Sequence, residues 1–251
     1  MEIEKSIIAT KQAFEKSFSS GDFYNKQTQD KQHLKAILDF LPIKSGMKIL
    51  DLGTGSGYLS FPIAENFSDI FITGLDIVDK TLEANRMKAE KEGIRNIEFT
   101  AYDGVSFPFE DNEFDMVISR YALHHFPAIQ KSISEVSRVL KSGGFLFISD
   151  PAPNADDASR FVDEYMQLKK DGHIKFYTKD EWKQICTEAG LKFVKSFDSS
   201  IRFPKKKDSA YRFDELLKKH DKNIIESYKL EILGNEIYIT EQVNNVLFCK
   251  Q

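Results

Sequence analysis

Ile49-Leu50-Asp51-Leu52-Gly53-Thr54-Gly55-Ser56-Gly57 passes from a short apolar run into three glycines at every second position, and the fold of the chain is decided there. Leucine and isoleucine in such a run suit a strand buried on both faces. Glycine lets the backbone turn sharply at the strand's end and leaves no side chain between the turn and a ligand. Tyr58 to Phe67 then reads as a helix, so the local unit is strand, tight turn, helix.

The unit repeats toward the C-terminus. Ile70 to Leu75 reads as a second strand, Lys80 to Glu92 as a helix capped by Gly93, and Ile97 to Thr100 as a third strand. Phe114 to Ser119 gives a fourth strand. Ile129 to Leu140 gives a helix with Ile129, Ile133, Val136 and Leu140 on one face, and Phe145 to Ser149 a fifth strand. With each strand followed by a helix, the alternation predicts an α/β fold on a parallel sheet.

Upstream, Ile3, Ile7, Phe14 and Phe18 recur as one helical stripe, and Leu34, Ile37, Leu38 and Leu41 form another before Pro42. Downstream of Asp150 the pattern loosens. Asp150-Pro151-Ala152-Pro153 is expected as a loop into a lid, followed by a helix from about Ala155 to Lys170 that Asn154 can cap. Thr178-Lys179-Asp180-Glu181 is a capping box opening a helix that ends at Gly190. Leu191 to Phe197 and Ile237 to Phe248 read as final strands, with Ser209 to Glu231 mostly helical between them. The organisation expected is N-terminal helices over 1–42, a ligand-binding core over 43–150, a lid insertion over 151–176, and completion of the core over 177–251 with a helical insertion at about 209–231.

The next strand after the glycine turn ends in Gly74-Leu75-Asp76. Asp76 follows Asp51 by 25 positions, close to the spacing at which a carboxylate grips ribose hydroxyls in nucleotide-binding folds. Asp79 is the better placed of the two acids to cap the following helix. A nicotinamide dehydrogenase needs a third glycine three positions after the second, and Tyr58 stands there. S-adenosylmethionine carries no pyrophosphate, so Gly-x-Gly-x-Gly with an acid two residues ahead suits it better. Asp103, followed by Gly104, closes the third strand at the edge where ligands of open α/β sheets collect; it either accepts from an adenine amino group or forms a plain Asp-Gly turn.

The chain clearly resembles the class I S-adenosylmethionine-dependent methyltransferases, within the group similar to ubiquinone and menaquinone biosynthesis methyltransferases. The resemblance rests on the segment 49–57, Gly74-Leu75-Asp76, Asp103-Gly104, Phe107-Pro108-Phe109, Phe114-Asp115-Met116-Val117 and Val139-Leu140-Lys141-Ser142-Gly143-Gly144. A narrower subgroup shares Ser119-Arg120-Tyr121-Ala122-Leu123-His124-His125-Phe126 and the region around His173. The resemblance implies a Rossmann-like doubly wound sheet, mostly parallel, of seven strands with the last antiparallel, plus a helical cap. It implies that Gly53, Gly55 and Gly57 face the amino acid part of the cofactor, Asp76 the ribose, Ile77 the adenine ring and Asp103 its amino group. Asp51, Thr54, Gly104, Ser119 and Arg120 complete the expected cofactor set, and Tyr24 looks like the aromatic residue that closes over it. In this chain Lys170 and Lys175 stand where an acid and an arginine commonly flank the lid histidine.

The sulfonium of S-adenosylmethionine is already electrophilic, so the protein's task is to align an acceptor and, where required, to remove a proton. His124 and His125 are the candidate bases just beyond the fourth strand. Arg120, His124, His173 and Tyr177 are the candidate acceptor contacts, with Arg120 suited to an acidic group. The Asn or Asp with Pro-Pro-aromatic of amine-methylating enzymes is missing after the fourth strand, where Ser119 to Ala122 stand. Neither cysteine stands at the site edge as a nucleophile, and no His, Cys or carboxylate cluster has metal-ligand spacing, the adjacent His124 and His125 being expected to point two ways.

The 251 residues are 41% hydrophobic and 29% charged, with a formal charge of −4, so no overall field gathers nucleic acid. Lys205, Lys206, Lys207, Lys218, Lys219 and His220 read as a solvated face. Charged residues interrupt Met1 to Ser20, unlike a signal peptide, and no uncharged apolar run reaches the length of a membrane span. Cys186 and Cys249 suit buried thiols in a reducing cytoplasm. The reading is a cytoplasmic monomer or homodimer methylating a small, apolar or aromatic molecule and releasing S-adenosylhomocysteine. An RNA or protein acceptor and a non-catalytic cofactor-binding protein are the alternatives.

Overall fold

Lys48–Leu52 forms β1, in which every residue after Lys48 is buried, as a strand covered on both faces requires. In the computed structural model, which describes residues 2–20, 30–168, 171–206 and 210–251, β1 pairs in parallel with β2 (Phe71–Asp76) and β4 (Phe114–Arg120). β3 (Ile97–Ala101) extends the parallel ladder beyond β2, and β5 (Leu140–Ala152) beyond β4. β8 (Glu236–Lys250) runs antiparallel between β5 and β6 (Leu191–Lys206), and the three-residue β7 (Glu231–Leu233) makes an eighth strand on β8. The order β3-β2-β1-β4-β5-β8-β6 reverses its winding between β1 and β4, and ligands of such sheets bind outside that switch point.

Side chains alternate across the sheet, which gives it two apolar faces. Leu50, Leu52, Val117, Leu146 and Ile148 pack with α5 (Ile129–Val139) and α7 (Lys179–Glu188). Ile49, Met116, Ile118 and Phe147 pack on the other side, with α2 (Lys31–Phe40), α3 (Ser60–Asn66) and α4 (Asp79–Glu92). A third apolar cluster joins Phe161, Tyr165 and Met166 of α6 (Phe161–Gln167) to Phe213 and Leu216 of α8 (Ala210–Lys219), Tyr228 after α9 (Lys222–Ser227), and Ile237 and Ile239 of β8. Each such aliphatic or aromatic side chain contributes about 1.5–3 kcal/mol, so the cap has a core of its own. α1 (Glu2–Ser20) carries the first stripe, although Ile3 at its start is exposed.

Several local expectations are met. Gly93 ends α4 in the left-handed region at φ +69°, and Thr178 and Glu181 form the reciprocal capping box of α7. Others are corrected. No helix joins β3 to β4 among the described residues, because side chains satisfy that segment's backbone instead. Asp103 accepts from the Val105 and Ser106 amides, Glu135 from the Phe107 amide, and Arg138 donates to the Phe107 and Phe109 carbonyls.

The lid helix begins at Phe161 rather than Ala155. Asp157, not Asn154, accepts the Phe161 and Val162 amides, and Arg160 at φ +61° breaks any helix running into it. Asp150, Pro151 and Ala152 are strand rather than loop, since β8 is long enough to pair them with Asn244, Val243 and Gln242. Asp79 does not cap α4; it is the first helical residue and pairs with Lys11 at 2.6 Å. Both thiols are free, Cys186 fully buried and Cys249 half-buried. Tyr24, Lys170 and Lys207 lie outside the described residues, as do the side chains of Lys205 and Lys206. Among the described residues no helix is long and apolar enough to cross a membrane.

Candidate functional site

The three glycines after β1 adopt φ of +71° at Gly53, +50° at Gly55 and +74° at Gly57, a region L side chains rarely enter. A Cβ on Gly53 would lie 2.4 Å from the Ala122 Cβ, and one on Gly57 2.6 Å from the Phe61 ring. Part of the glycine pattern is therefore required by the protein's own packing. The Gly53 and Thr54 amides donate to the Leu75 carbonyl at 2.8 and 3.2 Å, which stitches the turn to the end of β2. The Gly55 amide donates to Asp76 Oδ2 at 2.9 Å, the Val78 amide to Asp76 Oδ1 at 3.0 Å, and Asn85 Nδ2 to the Gly55 carbonyl at 2.7 Å.

The acids are thus brought to one place. Burial raises the Asp76 pKa against the lowering effect of those amides. Asp51, which accepts from Thr54 Oγ1 at 2.9 Å and Ser60 Oγ at 2.5 Å, is pushed up to about 6, chiefly by burial and further by the Asp76 charge. Ile77 stands half-buried beside Asp76. Asp103 is exposed and its Oδ1 holds its own turn, while a Cβ on Gly104 would lie 2.9 Å from Ile7 of α1. Ser119 donates its hydroxyl to the Leu52 carbonyl at 2.8 Å, tying the ends of β4 and β1 together. The Asp76 carboxylate accepts the Gly55, Val78 and Ile77 amides and keeps lone-pair capacity. A ribose diol, which donates twice, fits an acceptor-only carboxylate placed beside a Cβ-free turn.

At the end of β4 the chain turns through Tyr121 at φ +54°, and the Arg120 guanidinium lies between two rings, 3.8 Å from the centroid of Tyr58 and 3.9 Å from that of Tyr121. His124 follows. Asp150, at the end of β5, accepts at Oδ1 in a 2.8 Å contact with His124 Nδ1 and at Oδ2 from the His124 amide at 3.1 Å. Burial pushes the Asp150 carboxyl up to about 8. His125 is lowered to about 3, by burial first and by neighbouring His124 second. Its ring does not point away from His124, the centroids being 4.2 Å apart.

His173 from the lid completes a cluster, with centroids 5.5 Å from His124 and 6.3 Å from His125. Its Nε2 contacts Asp163 Oδ1 at 2.9 Å. Burial alone would raise Asp163, but the contacts from His173, the Phe176 amide and Arg160 outweigh it and hold the carboxyl below its usual range. Tyr177 packs on Trp182 with its hydroxyl in electrostatic reach of Asp150, and Lys175 pairs with Glu181. Among the described residues no group of histidines, cysteines and acids is arranged to hold a metal ion.

α1 closes over this edge of the sheet. Ile7 meets Gly104, Thr10 meets Gly172, and Phe14 sets its ring edge-on to His125 at 5.0 Å. Sequence reasoning missed Asp150, Asp163, Asn85 and the Tyr58–Tyr121 pair around Arg120. An acid directly after the apolar run Phe145 to Ser149 was a visible signal for Asp150; the others had none.

A nucleotide-type turn with an acid at the neighbouring strand tip, on a parallel sheet completed by β8 running antiparallel between β5 and β6, defines the fold of the S-adenosylmethionine-dependent methyltransferases. Residues 43–190 match the family model described as methyltransferase domain, and the chain belongs to that family. It is 31% identical over 147 residues to the uncharacterized methyltransferase YcgJ of Bacillus subtilis, covering 58% of this chain and 57% of that protein. The crystal structure of YcgJ superposes with a TM-score of 0.76 at 21% identity, covering 88% of this chain and 99% of that one. The 27-O-demethylrifamycin SV methyltransferase of Amycolatopsis mediterranei is 30% identical over 184 residues, covering 70% of this chain and 65% of its own. A demethylmenaquinone methyltransferase of Listeria welshimeri is 28% identical over 183 residues, covering 69% and 78%. The chain thus spans less than two thirds of the length of the first two relatives.

Proposed function

We propose that the chain moves the methyl group of S-adenosylmethionine directly, in line, to a small-molecule acceptor. When bound, the cofactor supplies an electrophilic methyl on a positively charged sulfur. The observation that carries the reading is the 2.9 Å contact between the Gly55 amide and Asp76, which puts the side-chain-free turn and the ribose acid on one wall. Gly53, Thr54, Gly55, Gly57 and Asp51 form the part of that wall facing the amino acid portion, with Ile77 and the Asp103-Gly104 turn at the adenine end. Two buried carboxylates, each raised by burial, suit a ligand with a sulfonium and an ammonium group.

A small acceptor is supported by the closure of α1 over the sheet edge, through Ile7, Thr10 and Phe14. Two relatives are named for small acceptors, a rifamycin and demethylmenaquinone. Arg120, His124, His125 and His173 stand on the acceptor side, aligning the substrate and excluding water. The test is formation of S-adenosylhomocysteine with a library of apolar and aromatic metabolites. Turnover with these at unchanged rate from low to high salt supports the reading; turnover only with RNA or protein, collapsing with salt, contradicts it.

A further inference from the structure

Where α1 meets the lid, three buried polar atoms have no hydrogen-bond partner among the described residues: Thr10 Oγ1, His125 Nδ1 and His173 Nδ1. They lie together around one glycine. A Cβ on Gly172 would come within 2.0 Å of Thr10 Oγ1, the His125 ring bonds the Gly172 backbone, and His173 is the next residue. The His173 side chain is 0% exposed. Phe14 stands edge-on to His125 at 5.0 Å and Phe176 edge-on to His173 at 4.6 Å, so the walls of the site are aromatic. Folded chains rarely leave buried polar atoms unpaired, and three of them in one place call for a ligand that satisfies them.

The chemistry of that ligand follows from the protons already placed. Asp163, held ionised below its usual range, meets His173 Nε2 at 2.9 Å, so Nε2 carries the proton of the neutral ring and Nδ1 its lone pair. Burial lowers His125 to about 3 and keeps it neutral; its Nε2 donates to the Gly172 carbonyl, which leaves Nδ1 bare as well. The two ring centres, 6.3 Å apart, are too distant for the rings to bond each other and close enough for one atom to reach both. Asp171 adds negative charge within electrostatic reach of His125. The lining is thus rich in lone pairs, with Thr10 alone of the three having a proton to give.

We infer that this site seats the primary amine of an acceptor with an apolar or aromatic body, and that the methyl group is carried to that nitrogen. This rests on the methyl-transfer reading above. A primary amine brings two N–H donors, one for each bare ring nitrogen, and its ammonium form a third for Thr10, whereas a hydroxyl or a thiol brings one. An alkylammonium entering from water leaves one proton to solvent, which burial between aromatic walls favours. With both N–H groups turned to His125 and His173, the nitrogen's lone pair faces away from them. That pair forms the N–CH3 bond as the S–CH3 bond breaks, and the electrons of the broken bond stay on sulfur. The positive charge passes to nitrogen, and the product leaves as a secondary ammonium that keeps both protons. No base on the protein is required, so the rate follows the ionisation of the acceptor. The titratable groups facing the site are His124 on the same turn, Asp150 at the end of β5, and Asp163 and Asp171 from the lid, while Lys11 of α1 is paired with Asp79.

The test saturates the chain with S-adenosylhomocysteine, adds benzylamine at pH 9, and reads the histidine ring nitrogens by NMR. Expected is a saturable shift of both His125 Nδ1 and His173 Nδ1 toward the hydrogen-bonded value, which toluene does not produce. By calorimetry benzylamine binds at least about tenfold more tightly than benzyl alcohol, and His125→Phe, which keeps a ring against Phe14, weakens it about 10–100-fold. A turnover arm with S-adenosylmethionine offers benzylamine, aniline, benzyl alcohol and phenol and maps the methylated atom. Expected are N-methyl products, with a rate that rises from pH 7 to 9 for benzylamine and stays flat for the far less basic aniline. Ring nitrogens unmoved by benzylamine in the parent assign the three atoms to a buried water and overturn the inference, with no variant needed to fold. So does methyl carried to oxygen while amines are untouched, or a benzylamine affinity unchanged in His125→Phe. These results leave methyl transfer standing; only failure to bind S-adenosylmethionine, measured by calorimetry on the same samples, removes the reading beneath it.

Discussion

Gly53→Ala is expected to disrupt the turn on two separable counts. At φ +71° an added Cβ meets its own backbone, a strain of about 1–2 kcal/mol. That Cβ would also sit 2.4 Å from the Ala122 Cβ, where carbon atoms pack best at about 3.5–4.0 Å, so the segment after β4 must retreat by more than about 1 Å. Overpacking of this kind costs about 1–3 kcal/mol. The sum, about 2–5 kcal/mol, lowers Tm by about 4–20 °C for a chain of this size. Ala122→Gly in the same chain removes the clashing atom and leaves the strain. Urea unfolding of the parent, both single variants and the double variant therefore yields a coupling of about 1–3 kcal/mol in favour of the pair. A Gly53→Ala protein within about 0.5 kcal/mol of the parent, or a double variant no more stable than Gly53→Ala alone, refutes the close approach of the two segments.

Asp157 accepts from the Phe161 and Val162 amides and from the Tyr228 hydroxyl at 2.7 Å, so Asp157→Ala should cost about 2–4 kcal/mol and speed proteolysis between β5 and α7. Unchanged proteolysis contradicts that role. His125 is lowered from 6.5 to about 3, so the native state binds its proton more weakly than the unfolded chain does. Its contribution is complete above pH 6.5 and is lost as pH falls toward 3; His125→Leu should flatten this acid limb in a pH series of unfolding midpoints, and an unaltered limb counts against it. Asp51, raised to about 6, acts in the opposite sense, its stabilising protonation being lost as pH rises through that value. Asp51→Asn should accordingly lose least stability at the alkaline end, by the same measurement.

What the sequence made legible was local. The turn at 53–57 and Asp76 could be read because a strand, glycines at alternate positions and one strand-end acid are all short-range features, and the structure joins them by a single hydrogen bond. Gly93 and the Thr178–Glu181 box were readable for the same reason. The histidine cluster was only half visible. His124 and His125 are neighbours in sequence, but their partners Asp150, His173 and Phe14 arrive on a different strand, the lid and the first helix. The helix-free passage from β3 to β4 depends on Glu135 and Arg138 reaching back from α5, a tertiary effect with no signature in residues 102–113. Arg120 was found, but its placement between Tyr58 and Tyr121 follows from the crossover of β1 and β4.

The central claim is that the glycine turn and Asp76 together hold an adenosyl sulfonium, and calorimetric titration of the purified chain with S-adenosylmethionine and S-adenosylhomocysteine tests it most directly. Expected is saturable binding of both at one site per chain, with Asp76→Ala weakening each about 10–100-fold, as the loss of hydrogen bonds to a charged group predicts. Binding of neither compound, or an Asp76→Ala chain that binds them as tightly as the parent, contradicts it.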